Sequence, residues 1–94
     1  MREKEIEMKL VRAVKGMGGI CPKWVSPGFD GVPDRIILLP SGRFAFAELK
    51  APGKKPRPLQ VARIEQLRGL GFQVYIIDRP EQIGGALNEI TSSM

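Results

Sequence analysis

The chain has 94 residues, enough for one domain with a single modest core. Hydrophobic residues make up 43% of it and charged residues 27%, the balance of an ordinary globular protein, and no apolar run approaches the roughly 20 residues of a membrane span. With no histidine and one cysteine, a structural zinc site within one chain, a histidine triad and a histidine general base are excluded, while the net charge of +5 suits an acidic partner.

Residues 3 to 16 read as an amphipathic helix, because Ile6, Leu10, Val14 and Met17 recur at helical spacing and Gly16, Gly18 and Gly19 end the pattern. The charged stretch Met1 to Glu5 has no apolar core behind it, so it is not a secretory signal. With Cys21 alone, a soluble intracellular protein is expected, in the cytoplasm of a bacterial or virus-infected cell. A short strand is expected around Ile20 to Val25, then a loop of turn formers from Ser26 to Pro33. Asp34 to Leu39 reads as a strand, Pro40-Ser41-Gly42-Arg43 as a tight connection, and Arg43 to Lys50 as the returning strand of a β-hairpin. Ala51 to Pro58 holds three prolines and a glycine and is a loop. A helix starts near Pro58 and runs to about Leu70, with Gly71 placed to stop it. Phe72 to Asp78 is a buried-type strand, and Pro80 to about Thr91 a short closing helix weakened by Gly84 and Gly85.

The order helix, three strands, helix, strand, helix gives an α/β fold: an αβββαβ core with a mixed central sheet flanked by helices, and a single domain over residues 1–94. The third strand, second helix and fourth strand form a crossover unit, expected to be right-handed and parallel.

The hairpin constrains the geometry. A turn centred near Ser41 pairs residues whose numbers sum to 82 or 83, which sets Asp34 opposite Glu48 or a neighbour. Glu48 and Lys50 are two apart and leave the same face of their strand, continuing the row of Phe44 and Phe46. Two carboxylates and an ammonium thus meet at one end of the hairpin, partly shielded from water. Neighbouring carboxylates repel unless a positive group lies between them, and Mg2+ answers this with one or two carboxylates and retained waters. Lys50 either handles the attacking water or stabilises the phosphate oxygens; the sequence leaves both open. Separately, Pro33-Asp34 reads as a turn and Glu48-x-Lys50 as an exposed ion pair; it is their combination, followed by a basic segment, that points to chemistry. From Lys50 to Arg68 that segment holds six basic residues against one acid, Glu65.

Pro33-Asp34 followed on the next strand by Glu48-Leu49-Lys50 resembles the PD-(D/E)XK, or restriction-endonuclease-like, superfamily. Gly31-Val32-Pro33-Asp34, Glu48-Leu49-Lys50, Ala51-Pro52-Gly53 and Pro58-Leu59-Gln60 together resemble its VRR-NUC family, over roughly residues 3 to 78. The resemblance implies that Asp34 and Glu48 bind a metal, Mg2+ with Mn2+ able to substitute, that the Leu49 carbonyl completes the site, and that Lys50 is the catalytic lysine. It also implies an acid on the first helix and a glutamine on the second, which map to Glu7, as a further catalytic residue and metal ligand, and to Gln60, as a catalytic residue; Glu3 lies on the same helical stripe as Glu7 and is the weaker candidate. Lys54, Lys55 and Arg57 are the phosphate-contact candidates, with Arg63 on the following helix. Trp24 and Tyr75 read as strand packing rather than base-stacking platforms, Cys21 as a small semi-buried residue, and Gly28 and Gly31 as turn glycines.

The expected activity is that of a metal-dependent endonuclease hydrolysing phosphodiester bonds in DNA. A bare core of this size suits recognition of DNA shape, and stand-alone members resemble junction resolvases. Expected, then, is a homodimer that cuts branched DNA such as Holliday junctions in replication, repair or recombination. The competing readings are a flap or duplex nuclease, a non-cleaving DNA-binding module, and a small RNA-binding protein.

Overall fold

The computed structural model describes residues 1–92; Ser93 and Met94, the end of the expected single domain, lie outside the described residues. Helix α1 spans Glu3–Gly16 and buries Ile6, Leu10 and Val14 along one stripe. At its start the Glu5 carboxylate accepts the backbone N–H of Arg2 at 3.0 Å, satisfying one donor that the helix itself leaves open. Strands β1 (Arg35–Leu39) and β2 (Arg43–Leu49) form the hairpin, joined by a turn in which Ser41 and Gly42 both take positive φ. Arg35 pairs with Ala47 and Leu39 with Arg43, so partner numbers sum to 82, one of the two registers the sequence allows.

Helix α2 (Pro58–Gly69) crosses back to β3 (Val74–Ile77), which pairs parallel to β2 and completes the sheet order β1-β2-β3. The last helix, α3 (Glu81–Ser92), runs unbroken through Gly84 and Gly85. Those glycines lie on its exposed side, whereas Ile83, Ala86, Leu87 and Ile90 are buried, and that apolar face outweighs the weak helix propensity of two glycines.

The sheet separates two cores. Ile37 and Leu39 of β1 and Ala45, Ala47 and Leu49 of β2 pack with α1 and α3 on one face. On the other face Phe46 meets Ile64 and Leu67 of α2 together with Val74, and Trp24 stacks on Phe46 with ring centroids 4.8 Å apart. Trp24 therefore packs against the core, as expected.

The expected strand from Ile20 to Val25 is reduced to two antiparallel bridges, Ile20 with Leu38 and Lys23 with Arg35. Pro22, between them, has no N–H to donate, and only its carbonyl joins the ladder, accepting from Ile36 at 2.9 Å. The segment still lies along the edge of β1, so the αβββαβ order stands with a rudimentary first strand.

Gly31 fixes the loop before Asp34 against α2. Its φ is +84°, and a Cβ there would come within 2.9 Å of the Leu59 carbonyl oxygen. Gly31→Ala is expected to cost about 1–3 kcal/mol, read as a lowered Tm in a thermal melt; an unchanged Tm would mean the loop is not held this way.

Candidate active site

Asp34 immediately precedes β1 and faces the end of β2. Its Oδ2 accepts the backbone N–H of Leu49 at 2.8 Å, and its carbonyl accepts the N–H of Trp24 at 3.0 Å. Glu48 continues the row of Phe44 and Phe46, an alternation that carries its carboxylate into the interior. Glu48 is 0% exposed, and among the described residues neither carboxylate oxygen has a hydrogen-bond partner. The Lys50 ammonium lies 3.3 Å from its Oε2. Burial first, and then the neighbouring Asp34 charge, push the Glu48 carboxyl up from 4.5 to about 7, while Lys50 pulls the other way. A sealed carboxylate with no hydrogen bonds is costly unless something cationic completes its environment.

Asp34, Glu48, Leu49 and Lys50 are thus brought to one end of the hairpin. Lys50 is further anchored because its N–H donates to the Ile77 carbonyl at 2.9 Å. Among the described residues no three His, Cys, Asp or Glu side chains gather into a ready-made metal cluster. Two carboxylates with a nearby carbonyl nevertheless suit a hard cation that keeps several of its waters.

The remaining sequence-derived candidates are placed differently. Glu7 is turned to Arg35, whose Nε lies 2.8 Å from its Oε2. Glu3, the weaker candidate in sequence, lines a cleft with Glu7, Lys23, Trp24 and Asp34, and its charge reaches Glu48. Gln60 is buried at 7% exposure, and its Oε1 accepts the Arg57 N–H at 2.9 Å, so it caps the start of α2. Lys54, Lys55 and Arg57 are exposed on the loop after Lys50. That loop is tied down where the Gly53 N–H donates to the Asp78 carboxylate at 3.2 Å. Arg63 instead stacks its guanidinium over Phe29, 4.0 Å from the ring centre, bracing the loop of Gly28 and Gly31. Cys21 is buried, and that burial pushes its thiol up to about 11, leaving it protonated and unreactive.

Arg35 is the important residue that the sequence motifs do not single out. Its signal is nonetheless present: it shares a strand face with buried Ile37 and Leu39, and a charge in such a row requires a partner.

No family model matches the chain. It is 50% identical over 78 residues to "Putative nuclease p44" of Acyrthosiphon pisum secondary endosymbiont phage 1, covering 83% of this chain and 84% of that protein. It also superposes on a solved structure described as a VRR_NUC domain, with a TM-score of 0.85 and 26% identity, over 92% of this chain and 94% of the other. The chain belongs to the VRR-NUC nuclease family. This VRR-NUC protein is accordingly a nuclease with the three-helix, mixed-sheet fold of the family. No helix among its described residues is long and apolar enough to cross a membrane.

Proposed function

We propose that this nuclease is a divalent-cation-dependent endonuclease that hydrolyses phosphodiester bonds in branched DNA, acting as a homodimer in replication, repair or recombination. The observation that carries the reading is the Glu48 carboxylate, sealed from water with no hydrogen-bond partner among the described residues and set between Asp34 and Lys50. Asp34, Glu48 and the Leu49 carbonyl would hold Mg2+ or Mn2+. Once bound, such a cation acidifies a water and stabilises charge at the scissile phosphate. Lys50 holds its ammonium beside Glu48 at the edge of the site, where it orients the attacking water or steadies the phosphate oxygens. Exposed Lys54, Lys55 and Arg57 contact phosphates flanking the cut, and Gln60 keeps the start of α2 in place behind them.

The substrate is tested by a cleavage panel of labelled four-way junction, flap, duplex and single strand in Mg2+. Preferential cutting of the junction is expected. Equal cutting of plain duplex would overturn the junction preference, and binding without cleavage of any substrate would favour a DNA-binding module.

A dimer interface is supported by an apolar patch at the end of the sheet away from Asp34 and Glu48. Ile20, which bridges to Leu38, is 63% exposed. Leu38 pairs with Phe44 across the hairpin, and the Phe44 ring lies 5.7 Å from that of Phe72. All four side chains are exposed. A second copy seated there leaves both active sites open, as a twofold-symmetric junction requires. The wild type should sediment as a dimer at micromolar concentration and Ile20→Glu as a monomer; a strictly monomeric wild type would contradict the dimer.

A further inference from the structure

We propose that Glu7 is a positioning residue and not a cation ligand: with Arg35 it forms a half-buried clamp that holds Asp34 in register with Glu48. The proposal rests on the reading of Asp34 and Glu48 as cation ligands and assigns the neighbouring charges a separate task. Arg35 is 9% exposed and uses two edges of its guanidinium. Its Nε donates to Glu7 Oε2 at 2.8 Å, and its Nη1 donates to the Cys21 carbonyl at 2.8 Å. One planar group therefore ties together α1, the segment entering the loop, and the first residue of β1. Arginine suits this work because its donors are fixed in a fork; a lysine ammonium on that stem does not reproduce both directions.

The clamp acts on Asp34 through short connections. Arg35 is its chain neighbour, and the segment that Arg35 grips at Cys21 bonds Asp34 three residues later, through the Trp24 N–H. Asp34 is left with its backbone held from one side and its Oδ2 held by the Leu49 N–H from the other.

Sheet alternation aims Arg35, the partner of Glu7, away from Glu48, although Glu7 and Asp34 line one cleft. Arg35 pairs with Ala47 and shares its face with Ile37, Ala45 and Leu49, the side covered by α1 and α3. Glu48, one residue on from Ala47, points to the opposite side. Within that cleft the Glu7 carboxylate is already engaged by the Arg35 guanidinium, which offsets its charge. Removing either partner alone leaves a charge stranded in a half-buried setting, whereas an amide at position 7 still accepts the Arg35 N–H.

The test titrates Mn2+ into the full chain, followed by electron paramagnetic resonance, for wild type, Asp34→Asn, Glu7→Gln, Glu7→Ala and Arg35→Lys. Glu7→Gln should keep Mn2+ affinity within about threefold of wild type, while Glu7→Ala and Arg35→Lys lower affinity or turnover by about 10- to 100-fold. Amide exchange adds a readout that general destabilisation would not produce: in Arg35→Lys the Leu49 N–H, bonded to Asp34, should exchange faster while the amides of α3 keep their protection. Loss of Mn2+ binding in Glu7→Gln as severe as in Asp34→Asn would make Glu7 a ligand and overturn the proposal. Wild-type turnover and Leu49 exchange in Arg35→Lys would overturn it equally. If Asp34→Asn itself bound Mn2+ normally, the failure would lie instead in the assignment of the cation site.

Discussion

Lys50→Ala should lower turnover by about a hundred- to ten-thousand-fold, with DNA affinity measured without cleavage changing by no more than about threefold. Lys50 stands at the mouth of the site, tied by its backbone to β3 and by its ammonium to Glu48, so its removal takes away charge at the reacting phosphate without moving the strand. Asp34→Asn should reduce turnover over the same range, because the amide keeps an acceptor for the Leu49 N–H but loses the charge that a cation needs. Single-turnover cleavage of a labelled DNA, with binding measured separately in Ca2+, separates the two effects. A Lys50→Ala protein that cuts at the wild-type rate would remove lysine from the mechanism.

The second large effect concerns pH. The Glu48 carboxyl titrates near 7 in the folded chain, above its ordinary 4.5, so the folded state binds more protons than the unfolded one between those values. Stability without divalent cations is therefore greatest below pH 4.5 as far as this group is concerned, and is lost as pH rises through about 7. The shift corresponds to at most about 3.5 kcal/mol across that window. Glu48→Gln should flatten the slope and leave a protein that is more stable than wild type at about pH 8, yet inactive. A divalent cation at about ten times its Kd should return about 1.4 kcal/mol to wild type at that pH and little to Glu48→Gln. Thermal melts at about pH 5 and about pH 8, with chelator and with Mg2+, check all of this. A wild-type Tm that rose with pH in chelator would contradict the assigned environment of Glu48.

These effects follow from a site whose core is legible in the sequence. A turn at Ser41 and Gly42, apolar alternation along Phe44, Phe46 and Glu48, and the spacing of Asp34 from Glu48 together narrow the register to partner sums of 82 or 83, and the observed pairing takes the first. The spacing of the motifs also points to the family to which the chain belongs. Long-range partners are less visible. Glu7 sits on a stripe that suits a cation ligand, but which cation it meets depends on Arg35, 28 residues away, and on which face of the sheet Arg35 takes. Gln60 is expected in the site, and the structure shows the local task that occupies it, capping α2. The first strand fades because Pro22 interrupts its hydrogen bonding, and α3 outlasts two glycines because its buried face decides the matter. Local signals specify the elements, whereas the partner that Glu7 meets comes from another layer.

On the proposed function, Asp34, Glu48 and Lys50 form a cation-dependent phosphodiesterase centre. Its most direct test is cleavage of a labelled four-way junction by wild type and Asp34→Asn, side by side in Mg2+ and in chelator. Product is predicted only for wild type in Mg2+. Undiminished cutting in chelator, or by Asp34→Asn, would contradict it.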